Sequence, residues 1–258
     1  SVTSTIRRSI IDPALFSDSP ELLVYGMIAA LLAAGIWLLV ASLNGWPVST
    51  THTIVGAIVG FAAVGISIDA VSWGRVGTIV LSWVTSPLCA GIFSFALFRS
   101  VQVLILDKDD PFERAMKYIP YYMFLVGFIM AMVTFLKGLS HVGLELSFLD
   151  AAAYSVGVGL IVVIIGMILL RNIKVDKNAD RDFHYASVEK VFAVLMIFTA
   201  CGMAFAHGSN DVANAIGPLA AVNSIIASGG LVESQAAIPI WILGLGGGGI
   251  ALGLIMYG

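Results

Sequence analysis

The stretch AHGSNDVANAIGP, residues 206–218, decides how this chain must be read. It places His207, Ser209, Asn210, Asp211 and Asn214 within a few helical turns, between the apolar runs VFAVLMIFTACGMAF and LAAV. A carboxylate, two carboxamides and an imidazole in such surroundings need a reason. An isolated charge in a low dielectric either takes up a proton or pairs with a counter-charge, and an intramembrane carboxylate reads as functional by default.

The surroundings are those of a membrane protein. Of the 258 residues, 59% are hydrophobic and only 11% charged, with a mean hydropathy of +0.99, whereas a water-soluble domain carries roughly a quarter charged residues. Apolar runs fall at residues 22–43, 76–106, 118–136, 150–170, 188–206 and 236–257. Each is near or above the ~20 residues that a helix needs to cross the hydrocarbon core. They are apolar all round, so they predict helices rather than the alternating ~10-residue strands of a barrel. The fold class is therefore an all-α polytopic membrane protein. Two shorter apolar stretches, 52–67 and 212–227, each start at a polar cluster and read as half-helices or re-entrant segments, with Gly208 breaking the chain before the second.

Lys and Arg orient the spans. Residues 107–117 hold Lys108, Arg114 and Lys117, residues 171–190 hold Arg171, Lys174, Lys177, Arg181 and Lys190, and residues 137–149 between them hold only Lys137. The positive-inside rule puts 107–117 and 171–190 on the cytoplasmic side of what would be a plasma or inner membrane. The net charge of −3 carries no weight in this, because the rule counts basic residues in loops. The charged connection 171–190 is the expected divide between 1–170 and 191–258. Cys89 and Cys201 lie in separate apolar runs and read as small buried hydrophobes. The chain opens with the polar SVTSTIRRSIIDPALFSDSPE from Ser1, and a piece of something longer is expected.

The second polar cluster, NGWPVSTTHTIVGAIVG at residues 44–60, has the same grammar as the first. Pro47 interrupts regular structure, Ser49, Thr50 and Thr51 are helix-capping types, and a Gly-rich apolar helix follows. Free N–H groups at such a helix start carry partial positive charge and converge on one spot, which suits an anion. Irregular backbone at membrane depth lines cavities, and half-helix starts facing an anion are the usual parts of secondary transporters. Asp211 with carboxamide and hydroxyl oxygens suits a hard alkali cation. Asn210 and Asn214 share a helix face while Asp211 lies about 100° round, so a regular helix is expected to divide them; the break at Gly208 would relax that.

Plainer readings compete. Ser, Thr and Asn often glue membrane helices together, and Gly56 with Gly60 forms a GxxxG pair that packs helices. His52 and His207 fit an interhelical hydrogen bond as well as a functional role. The run GLGGGG, residues 244–249, lacks the Lys-Ser/Thr of a phosphate-binding loop. An intramembrane hydrolase built on Ser49, His52 and Asp211 finds no readable oxyanion arrangement.

Taken together, FAHGSNDVANAIGPLAAV, PVSTTHTIVGAIVGFA, the lead-in SVEKVFAVLMIFTACGMAF, SWVTSPLCAGIFSFALF and TIRRSIIDPALF resemble the inorganic phosphate transporter family of secondary transporters across essentially the whole chain. The resemblance implies an inverted repeat in which each half carries one NDVAN-type and one STTH-type motif, with phosphate and coupling cations between the halves. This chain holds the STTHT of a first half and the HGSNDVAN of a second. By that measure it lacks the first and last helices, so that 1–170 holds the rest of the first half with following spans and 191–258 opens the second. Transport is expected of the longer protein.

Carried over by motif, Ser49, Thr50, Thr51, His52, Ser209, Asn210 and Asn214 would contact phosphate, and Asp211 with Asn210 and Asn214 the cation. NDVANAIGP is similar to the sodium-coupled branch, which implies sodium as the coupling ion at Asp211. The expected activity is cation-coupled symport of inorganic phosphate, not an enzymatic reaction. The alternatives are a proton-coupled phosphate or sulfate permease of the same family and, from another class, an anion channel. No cofactor or nucleic-acid partner is expected; the lipid bilayer is the medium, and a homo-oligomer is compatible with the reading.

Overall fold

A computed structural model describes residues 10–11, 13–16, 18–138, 146–171, 173, 181–230 and 238–257. The helices are α1 (Pro20–Leu43), α2 (Thr50–Gly65), α3 (Trp73–Val101), α4 (Pro111–Val133), α5 (Phe148–Leu170), α6 (Arg181–Ala227) and α7 (Ile240–Tyr257). Single π-helical turns, Gln102–Leu106 and Thr134–Gly138, continue α3 and α4. No strand occurs among the described residues, only an isolated bridge between Ile11 and Val71. Among the described residues six helices are long and apolar enough to cross a membrane, and α2 is a shorter apolar helix. A helix satisfies its backbone polar groups internally, which is why such a sequence folds this way in lipid.

The predicted spans match these helices with one correction. The expected break at Gly208 is absent: α6 runs unbroken through 47 residues, and its membrane-compatible part, Ser187–Ala227, is 41 residues long. The separate half-helix at 212–227 is therefore the end of α6. A glycine in a helix interior costs only about 1 kcal/mol relative to alanine, while each backbone group left unpaired in hydrocarbon costs several kcal/mol. Continuity wins. Of the charged connection 171–190, residues 172 and 174–180 lie outside the described residues, as do residues 1–9 of the N-terminal resemblance.

The chain divides into two compact units, residues 1–85 with 206–258, and residues 86–205. In the first unit, Leu23, Met27, Ala30 and Ala34 form one face of α1 and pack with Ile54, Val55, Ile58 and Ala62 of α2. Spacings of three and four residues put each set on a single stripe. Phe61 of α2 occupies the space in front of Gly26 of α1. Ile10, Ile11 and Phe16 join this core, Phe16 stacking on Phe61.

The second unit is organised by a step of four. Ala115, Ile119, Met123, Gly127 and Ala131 are buried along α4, and Ala151, Ser155 and Gly159 along α5. Such rows are the ridges that interdigitate between helices. Gly127 and Gly159 let the backbones approach, since a Cβ on Gly127 would stand 3.1 Å from the Gly159 Cα. A cavity of about 390 Å³ lined by Val126, Met130, Val162, Phe198 and Cys201 lies in this unit. It holds none of the motif residues.

Candidate functional site

The first half of the site is the start of α2. Asn44 ends α1, Gly45 takes a positive φ of 68° that glycine adopts without penalty, and the chain reaches Ser49 in an extended conformation. Ser49 Oγ accepts the His52 N–H at 3.3 Å, and helical bonding starts with Thr53 N–H donating to Ser49 O at 3.0 Å. This is the predicted N-cap. The N–H groups of Thr50 and Thr51 come before the first ladder bond and point out of the helix start.

The second half is one face of α6. Thr50 Oγ1 donates to Asp211 Oδ1 at 2.8 Å. Asn214 Nδ2 bridges the two threonines, at 3.2 Å from Thr50 Oγ1 and 2.8 Å from Thr51 Oγ1, and Asn210 Nδ2 reaches Thr51 Oγ1 at 3.2 Å. Asn210, Asp211 and Asn214 thus converge on one threonine pair from an unbroken helix, contrary to the expectation that a regular helix divides them. The physical reason is that two adjacent hydroxyls present two targets, and a 100° arc of side chains covers both.

Oxygen and hydrogen bookkeeping around this cluster leaves specific groups over. Asn214 is only 4% exposed, and its Oδ1 has no hydrogen-bond partner among the described residues. Pro218, inside α6, has no N–H to give the carbonyl of Asn214 four residues earlier. The side-chain oxygen of Asn214 is therefore a buried acceptor with unused capacity, on the residue whose amide joins Thr50 and Thr51. Buried acceptors of this kind call for a donor or a cation. On the α2 side the surplus is of the opposite sign, N–H donors at a helix start.

Of the remaining candidates, Ser209 is exposed. His52 turns its ring to Trp83 of α3, with centroids 3.7 Å apart. Ser49 Oγ is engaged by a backbone N–H, so Ser49, His52 and Asp211 make no nucleophile–base–acid relay. Sequence reasoning gave His207 no assigned place in the site, yet its Nε2 lies 3.1 Å from Asp211 Oδ2. The signal was the i, i+4 spacing, legible once the helix is continuous. No cluster of three or more His, Cys, Asp or Glu side chains that could hold a metal occurs among the described residues. The cation-suited oxygens are instead a single carboxylate with amide and carbonyl oxygens.

Six apolar helices of membrane-spanning length among the described residues, with a carboxylate, carboxamide and hydroxyl cluster where α2 meets α6, define a polytopic integral membrane protein. The family model described as "PHO4: Phosphate transporter family" matches residues 1–258, and the chain belongs to that family. A Haemophilus influenzae protein named "Putative phosphate permease" is 48% identical over the whole chain, and a Pyrococcus horikoshii protein likewise named a "Putative phosphate permease" is 43% identical. The chain spans 61% of the length of each. A solved structure titled "The sodium-dependent phosphate transporter" superposes with a TM-score of 0.87 at 35% identity, covering 98% of this chain and 60% of that one. The family and this neighbour are transporters and not enzymes.

Proposed function

We propose that the chain forms part of a symporter that carries inorganic phosphate together with sodium, and that the threonine pair of α2 with the Asn210–Asp211–Asn214 face of α6 is one of its ligand sites. The observation that carries the reading is the sorting of surplus groups. The Ser49 and Thr51 hydroxyls and the N–H groups of Thr50 and Thr51 suit phosphate oxygens, whereas Asp211 and the spare side-chain oxygen of Asn214 suit a hard monovalent cation. A cation beside Asp211 supplies positive charge that lets a multiply charged anion enter a low dielectric, so each ligand raises the affinity for the other. That coupling is reciprocal. His52, Ser209 and Asn210 complete the proposed ligand set. The basic connections 107–117 and 171–190 belong, in this reading, on the cytoplasmic side, the second dividing the two halves.

The test is uptake of radiolabelled phosphate into proteoliposomes holding the protein, under an inward sodium gradient, a proton gradient or neither, with sulfate as competitor. Sodium-driven uptake that sulfate leaves untouched is the expected result. Proton-driven uptake, or uptake of sulfate, would replace the coupling ion or the anion, and phosphate binding of equal strength with and without sodium would end the coupling scheme.

A further inference from the structure

We propose that Trp83 is a positioning residue for the anion end of this site, acting through His52; the transport consequence rests on the reading above. The first turn of α2 has little of its own to hold it. Residues 42–49 are exposed, and burial along α2 begins only at Ile54. Among the described residues two sets of contacts hold it from the side. On one side Thr50 and Thr51 are tied to Asp211, Asn210 and Asn214. The next residue projects about 100° further round the helix, and there the His52 ring lies against Trp83, centroids 3.7 Å apart with 33° between the planes. The His52 N–H is at the same time bound to Ser49 Oγ, so its ring and its backbone are both held.

A helix start can gather anion oxygens only if its free N–H groups keep one direction. The polar ties to α6 hold that turn at Thr50 and Thr51. The contact with Trp83 holds the next residue, His52, from a third helix. An aromatic pair of this kind is worth a factor of about three to ten in a binding constant.

The test is a double-mutant cycle in the protein reconstituted in proteoliposomes. Trp83→Ala is expected to raise KM for phosphate about three- to tenfold with maximal uptake kept within about twofold, and Trp83→Phe to restore KM to within about twofold. His52→Ala should raise KM at least as much as Trp83→Ala, since it loses the ring contact and a proposed ligand together, and the double variant should be no worse than His52→Ala alone, because Trp83 acts only through His52. Additive effects, or loss of maximal rate with KM unchanged, would overturn the proposal. Amide hydrogen exchange of residues 50–53 gives a readout that needs no transport. Trp83→Ala should speed it at least about threefold and Trp83→Phe should not. Unchanged exchange would end the positioning role even where phosphate uptake is sodium-driven. Absent phosphate uptake by the unaltered protein would end the proposed function while the exchange result still judged Trp83.

Discussion

Thr50 and Asp211 are 161 residues apart in sequence and 2.8 Å apart at Oγ1 and Oδ1. The Thr50 oxygen gives one bond to the carboxylate and receives another from the Asn214 amide, so it links the two α6 residues in one chain of hydrogen bonds.

Asp211→Asn keeps the shape of the side chain and removes its charge. Sodium-driven phosphate uptake is expected to fall at least about tenfold, with membrane insertion and expression unchanged on a blot of purified membranes. Full uptake in this variant would remove Asp211 from the cation role.

Thr50→Val deletes a hydroxyl bonded to a carboxylate, an interaction of about 1.5–3 kcal/mol. The half-saturating sodium concentration should rise about tenfold or more. Thr50→Ser keeps the hydroxyl and should stay within about threefold. Equal behaviour of the two variants, read from uptake against sodium concentration, would show that the hydroxyl is idle.

Gly127→Ala is a control in the other unit. A Cβ there would meet Val162 at 2.9 Å and the Gly159 Cα at 3.1 Å, and overpacking of this kind costs about 1–3 kcal/mol. A lower melting temperature in detergent with KM for phosphate unchanged is the expected pair of results.

The two ends of the site differed in how readable they were. Ser49 as a cap and α2 as a short apolar helix follow from local chemistry, capping residues ahead of an apolar run, and the structure places both as expected. The spans were legible because hydropathy in lipid is a local property. The state of Gly208 was not, since a glycine between polar residues looks like a break until the cost of unpaired backbone at that depth is weighed. Which α6 residue meets which threonine was equally hidden. It depends on a pairing 159 to 164 residues long in sequence and on the register of two helices. His207 and Trp83 went unassigned for the same reason, each acquiring meaning only from a neighbour.

The first compact unit is made of two stretches, residues 1–85 and 206–258, while the second is one uninterrupted stretch. Ribosomes add about 5–20 residues per second. The 120 residues between those stretches thus take about 6–24 s to emerge at that rate, and over that interval the Thr50 and Thr51 hydroxyls lack their Asn210, Asp211 and Asn214 partners. The uninterrupted unit can finish folding first. Assembly of the site is therefore a late event in synthesis, completed only once Asn214 has followed Thr50 and Thr51 out of the ribosome.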